Sequence, residues 1–165
     1  MTSNLLVKHG LRFIILMLVQ VVIFNNIRFM GYINALFYIW FIIALPTNMN
    51  RYLLLIIAFL TGLILDIFSS TPGMYAFTTV LIAFIRPYAL HLFVPKDVYA
   101  LYEPSVKTLG FTPFLKYAVS LVVILHLTLF TLEAFTFQNY WLVLLKTAIN
   151  SAITLLFVMA AQKYR

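Results

Sequence analysis

The chain has 165 residues, of which 64% are hydrophobic, 17% aromatic and 9% charged, and its mean hydropathy is +1.05. No soluble domain of this size carries that much apolar surface, so the sequence describes an integral membrane protein. Eleven Lys and Arg stand against four Asp and Glu, but they sit singly at the ends of apolar runs, which is membrane topology and not a nucleic-acid patch. The absence of cysteine excludes disulfides, thiolate metal sites and a cysteine nucleophile.

In chain order, Lys8, His9 and Arg12 precede an uncharged run over 13–27. It has the front of a signal peptide without a small-residue cleavage site behind it, so it reads as a retained first span over 10–27. A second span is expected over 30–47, aromatic at its start and closed by Pro46, Thr47 and Asn48. The third, 51–68, leads through the turn sequence SSTPG into a fourth, 73–92, giving a helical hairpin whose second helix is expected to end at Arg86 and Pro87. Residues 93–113 are mixed in character, with Pro95, Pro104, Gly110 and Pro113. They read as a cytoplasmic interfacial loop in which Tyr99, Tyr102 and Phe111 lie among Lys96, Asp97, Glu103 and Lys107. Fifth and sixth spans follow over 114–133 and 140–162.

The expected fold is therefore an all-α polytopic bundle of about six transmembrane helices in a single domain, 1–165. Several spans fall short of the ~20 residues needed to cross a bilayer, which admits a re-entrant segment and five crossings. With the N-terminus inside, nine of the eleven bases (Lys8, Arg12, Arg51, Arg86, Lys96, Lys107, Lys116, Lys163, Arg165) fall at inner ends and one, Arg28, outside. The positive-inside rule then puts both termini in the cytoplasm, with outer connections at 25–31, 69–73 and 133–139.

Asp66 is the residue that most needs explanation, because an acid within a span is costly unless it is paired, neutralised or turned toward protein. Two readings stand: a functional charge, or an acid that satisfies groups at the end of a span. Ala58, Gly62 and Asp66 recur at i, i+4 and i+8, which puts the acid on a small-residue face against another helix. Counting from the turn, Asp66 is one helical turn deep, whereas Arg86 lies near the other membrane face, so these two do not pair. Lys146, two turns into the sixth span, is the expected partner, with Glu133 and Arg28 competing. Lys146, Asn150 and Thr154 share a stripe, with Thr147 and Ser151 beside it, that should face protein. His126 is expected to be a packed, satisfied residue. No HExxH, phosphate-binding glycine loop, GxSxG or paired-acid pattern is present. The expectation is a non-enzyme with no metal, no cofactor and no nucleic-acid partner.

Leu45-Pro46, then AFLTGLILDIFSSTPGMYAF over 58–77, then Arg86-Pro87 together resemble the bacterial rod shape-determining MreD family. The specific part is the GLxxD…TPGxxA core at Gly62, Asp66, Pro72, Gly73 and Ala76. The resemblance implies a multi-pass component of the bacterial inner membrane that belongs to the cell-elongation, peptidoglycan-synthesising machinery. It implies binding to MreC and work alongside the MreB filament, the RodA glycosyltransferase and its partner transpeptidase. It also implies a fold similar to the S components of energy-coupling-factor vitamin transporters. The expected partner-binding or structural residues are Pro46, Gly62, Asp66, Pro72, Gly73, Arg86 and Lys146. The alternative function is an S-component-like small-molecule transporter subunit. Such a subunit would offer small residues on its first span, where this chain has FIILMLVQVVIFN with neither Ala nor Gly. A third possibility is a membrane enzyme using Asp66.

Overall fold

A computed structural model describes residues 2–24, 35–94, 103–134 and 140–163, with the side chains of 2–9, 12, 24 and 163 excepted. Among these residues there are only helices: α1 (Thr2–Val19) running into a π-helical turn (Gln20–Phe24), α2 (Ile39–Ala44), α3 (Arg51–Ser69), α4 (Met74–Phe93), α5 (Val106–Leu109), α6 (Phe111–Ala134) and α7 (Tyr140–Lys163). The expected connection at 25–31 with Arg28, the Lys96, Asp97, Tyr99 and Tyr102 part of the interfacial loop, most of the connection at 133–139, and the tail Tyr164-Arg165 lie outside the described residues.

Among the described residues, four helices are long and apolar enough to cross a membrane: α3, α4, α6 and α7. The protein is a membrane protein by this measure. Their outward faces carry large apolar side chains, among them Ile56, Ile67, Leu92, Trp141 and Leu156, as lipid contact requires. α3 packs along α4, α4 along α6, and α6 along α7. The end of the bundle holding the α3–α4 turn is called the tip below, and the opposite end the base.

Of the first expected span, the described residues 10–24 are helical, with the apolar portion Phe13–Ile23. The second is a correction: of the predicted 30–47 only Ile39–Ala44 is helical among the described residues, a rise of about 9 Å, far short of a crossing. Its apolar side chains meet protein and not lipid, since Leu36, Tyr38, Ile39, Ile42 and Ile43 are fully buried. α2 is thus a core element around which the long helices close, with Phe114, Tyr117, Leu121 and Ile82 in the same cluster.

The helix of the fourth expected span, 73–92, does not stop at Arg86 and Pro87. Pro87 lies inside α4, which continues to Phe93. Proline removes one helical N–H, but a membrane helix tolerates it where neighbouring groups satisfy the freed carbonyl. At the base, Asn50 caps α3 by accepting the N–H of Tyr52 at 2.9 Å, and the Arg51 guanidinium lies over the rings of Phe84 (4.6 Å) and Tyr88 (5.8 Å).

Candidate functional site

The tip of the α3–α4 hairpin is built around Asp66, between the end of α3 and the start of α4. α3 ends with Ser70 in the left-handed region (φ 54°), its N–H returning to the Asp66 carbonyl. Thr71 N–H reaches the same carbonyl at 3.0 Å. α4 then starts from Gly73 at φ 84°, a conformation that glycine adopts freely and other residues do not. A glycine at the N-cap position brings no side chain to accept the first free amides of the helix, which must be met from elsewhere.

Asp66 meets them. Its buried carboxylate accepts the Tyr75 N–H on Oδ1 at 3.0 Å and the Ala76 N–H on Oδ2 at 2.8 Å, and the Thr71 hydroxyl donates to Oδ1 at 2.5 Å. All three partners are donors, so the side chain works as an acceptor only, as an ionised carboxylate does, and it sits where a helix carries partial positive charge. Gly62, one turn earlier on the same face, makes this approach feasible. A Cβ there would lie 2.4 Å from the Ala76 Cα, 2.5 Å from the Tyr75 carbonyl oxygen and 2.6 Å from the Ala76 nitrogen. Ala58, Gly62 and Asp66 are all buried on the face of α3 that meets α4, as their spacing predicts.

The expected pairing of Asp66 with Lys146 is therefore corrected: the donors that reach Asp66 are Thr71, Tyr75 and Ala76. The Lys146 ammonium lies over the Phe130 ring, 5.9 Å from its centre. Counting charges by depth finds candidate partners, but a carboxylate beside a tight turn meets the next helix's amides first.

Arg86 forms a second site, toward the base. It is 2% exposed, so its guanidinium is turned into the bundle. Its Nε donates to the Tyr117 hydroxyl at 3.0 Å and its Nη2 donates to the Leu45 carbonyl, while the Tyr117 hydroxyl donates to the Ile43 carbonyl at 3.1 Å. These carbonyls lie at the C-terminal end of α2. Leu45 is extended (ψ 151°) as residues before proline prefer to be, and Pro46 has no N–H to continue the helix. Pro46 thus ends α2, and the resulting free carbonyls are what Arg86 and Tyr117 satisfy.

The other end of α2 is held in the same way. Gln20, at the start of the π-helical turn, donates to the Ala35 carbonyl (3.1 Å) and accepts the Tyr38 N–H (3.2 Å). The Thr154 hydroxyl accepts the Leu36 N–H at 3.1 Å and lies 3.4 Å from His126 Nε2, while His126 Nδ1 lies 2.9 Å from the Val122 carbonyl. This chain of contacts places the imidazole proton on Nδ1 and leaves Nε2 to accept from Thr154. The Tyr38 hydroxyl meets Thr79 at 2.9 Å. Non-helical backbone at membrane depth is tolerated only where protein satisfies it, and the π-helical turn after α1 and the helices α4, α6 and α7 each supply a side chain that does so. No family model, curated protein or solved structure matches the chain.

The structure thus joins Gly62, Asp66, Pro72 and Gly73 in one hairpin tip, puts Pro46 and Arg86 at the end of α2, and leaves Lys146 on α7 apart from both. The α7 stripe of Thr147, Asn150, Ser151 and Thr154 is buried toward the bundle, as expected. Sequence reasoning misses Gln20, Thr71 and Tyr117. Gln20 had a usable signal, since it is the only hydrogen-bonding side chain in an apolar run of eleven residues, 13–23. Tyr117 had none, because a tyrosine near the end of a span reads equally well as an interfacial ring.

Proposed function

We propose that the chain is a non-enzymatic membrane scaffold of the MreD type, acting in the bacterial inner membrane within the cell-elongation machinery, with both termini in the cytoplasm and the hairpin tip in the periplasm. Its direct partner is a protein with a single membrane-spanning helix, MreC in that family, and through it the MreB filament, RodA and the transpeptidase. The observation that carries this reading is the hairpin itself. The residues that make the resemblance specific are those that rigidify α3 against α4, and the outward side of that pair forms an open apolar groove of about 530 Å³ between Phe59 and Leu63 on one side and Phe77, Val80 and Phe84 on the other. A fixed groove with small residues, Gly73 and Ala76, at its tip end suits close packing of another helix in lipid, where packing drives association.

The transporter alternative needs a polar chamber inside the bundle. Among the described residues, α2 and the rings of Phe114 and Tyr117 belong instead to the buried apolar core, and Gln20, Tyr38, Thr79, His126 and Thr154 bond to one another and to backbone, which favours the scaffold. The test is a photo-crosslinking amino acid placed at Phe77 in the groove or at Leu156 on the outward face of α7, followed by mild detergent extraction. The expected result is a crosslink from Phe77, and none from Leu156, to a bitopic protein with a periplasmic domain. Crosslinking equal at both positions, or purified protein that retains a vitamin and gains heat stability from it, overturns the scaffold reading.

A further inference from the structure

At the base, α5, the start of α6 and the end of α7 flank an open pocket of about 290 Å³ lined by Val106, Lys107, Phe111, Met159 and Gln162. Gln162 is 4% exposed, and among the described residues neither the nitrogen nor the oxygen of its amide has a hydrogen-bond partner. A buried primary amide with both functions unmet is costly, and native proteins rarely leave one so. The pocket is too roomy for a single ion or water. Phe111 is the first residue of α6 and Gln162 the next to last of α7, so in two helices that each cross a membrane the pocket sits at headgroup depth.

The chemistry around it narrows the occupant. Lys107, exposed on α5, supplies a positive charge at the rim. The Gln162 amide asks for an acceptor and a donor together, and its three rotatable side-chain bonds let it turn into the pocket. Phe111, Met159 and Val106 offer apolar contact beside these polar groups. We propose that this pocket seats the headgroup of an anionic, hydroxylated glycerophospholipid of the phosphatidylglycerol type. The phosphate faces Lys107 and accepts from Gln162 Nε2, a headgroup hydroxyl donates to Gln162 Oε1, and the first acyl carbons lie on Phe111 and Met159. A choline headgroup has no donor for Oε1, and an ethanolamine headgroup would bring its ammonium against Lys107. The site is independent of the groove between α3 and α4 and goes beyond the scaffold reading.

The test uses the full chain, delipidated in detergent, with thermal unfolding followed as mixed micelles of phosphatidylglycerol, phosphatidylethanolamine or phosphatidylcholine are added, and with water-soluble glycerol phosphate as a separate arm. Phosphatidylglycerol is expected to raise the melting temperature saturably and the other two lipids are not. An equal response to all three lipids, or glycerol phosphate acting as strongly as the lipid, overturns the assignment. Gln162→Leu removes the unmet amide, so without lipid it should melt at or above the parent temperature while its response to phosphatidylglycerol is lost. Lys107→Glu should weaken that response at least tenfold in lipid concentration. A Gln162→Leu protein that responds like the parent, or that melts lower without lipid, refutes the site.

Discussion

Removing the Asp66 carboxylate is the sharpest test of the hairpin tip. In Asp66→Ala the amides of Tyr75 and Ala76 lose their acceptors, 3.0 and 2.8 Å away, in a place where water does not replace them. Each buried orphan donor costs about 1–3 kcal/mol, and the favourable charge at the start of α4 goes with them, so the expected loss is about 4 kcal/mol. Asp66→Asn keeps one carbonyl oxygen but turns an NH₂ toward the second amide, and should lose about half as much. Thr71→Ala removes a single hydroxyl donor and should lose about 1 kcal/mol. Reversible unfolding in mixed micelles with a denaturing detergent, read by circular dichroism, measures the series. The order Ala, Asn, then Thr71→Ala is the signature of a helix cap. A functional ion pair with Lys146 predicts something else: Lys146→Met would match Asp66→Ala in cost, and the double mutant would show a coupling above about 1 kcal/mol. An Asp66→Ala protein within about 0.5 kcal/mol of the parent, or such a coupling, refutes the reasoning.

Gly62→Ala should be as damaging as the loss of the acid. Moving its Cβ from 2.4 Å to ordinary contact with the Ala76 Cα separates the two helices by about 1 Å, which stretches both amide bonds to Asp66 out of range; a double mutant with Asp66→Ala should therefore lose less than the sum of the two, and additivity would show that close approach and capping are separate. Gly73→Ala meets no atom within 4 Å, so its cost should be that of the positive φ alone, about 1–2 kcal/mol, with Asn milder than Ala in the same unfolding assay and Val worse. Arg86→Leu leaves the Leu45 carbonyl without a donor and should lose about 3 kcal/mol, with Tyr117→Phe close behind and Arg86→Lys milder; an Arg86→Leu protein as stable as the parent would mean that the α2 end needs no donor.

Membrane residence and all-helical structure are legible in the sequence because they follow from apolar content and run length alone. The hairpin is legible too, since SSTPG holds the residues that such a turn uses, and the buried face of α3 follows from the i+4 spacing of Ala58, Gly62 and Asp66. α2 is not legible. A run such as FYIWFIIAL is equally apolar whether lipid or protein surrounds it, and periodicity carries no signal when every side is buried. Nor is the course of α4, because the bias of a residue before proline away from helix is overruled where Arg86 is held on both sides by Tyr117 and Leu45. The capping role of Asp66 was within reach. Glycine in the N-cap position of α4 supplies no side chain, and an acid one turn before so short a turn is the nearest acceptor.

The two buried charges, Asp66 and Arg86, are accommodated in the same way. Asp66 faces the first amides of α4, and Arg86 faces the last carbonyls of α2. Each meets the partial charge of opposite sign that a helix end presents, and each does so through hydrogen bonds to backbone and to a hydroxyl, with no counter-ion among the partners named. A membrane bundle can hold full charges in this way only if the helix ends are brought to them, and that is the work of Gly62 and Gly73 for the acid and of Pro46 for the base. The core residues are therefore instructions for an architecture. In this chain they fix a hairpin with an outward groove and a buried short helix. On the scaffold proposal, partner choice would rest with side chains that none of these constraints touch, such as Phe59, Phe77 and Phe84 around the groove.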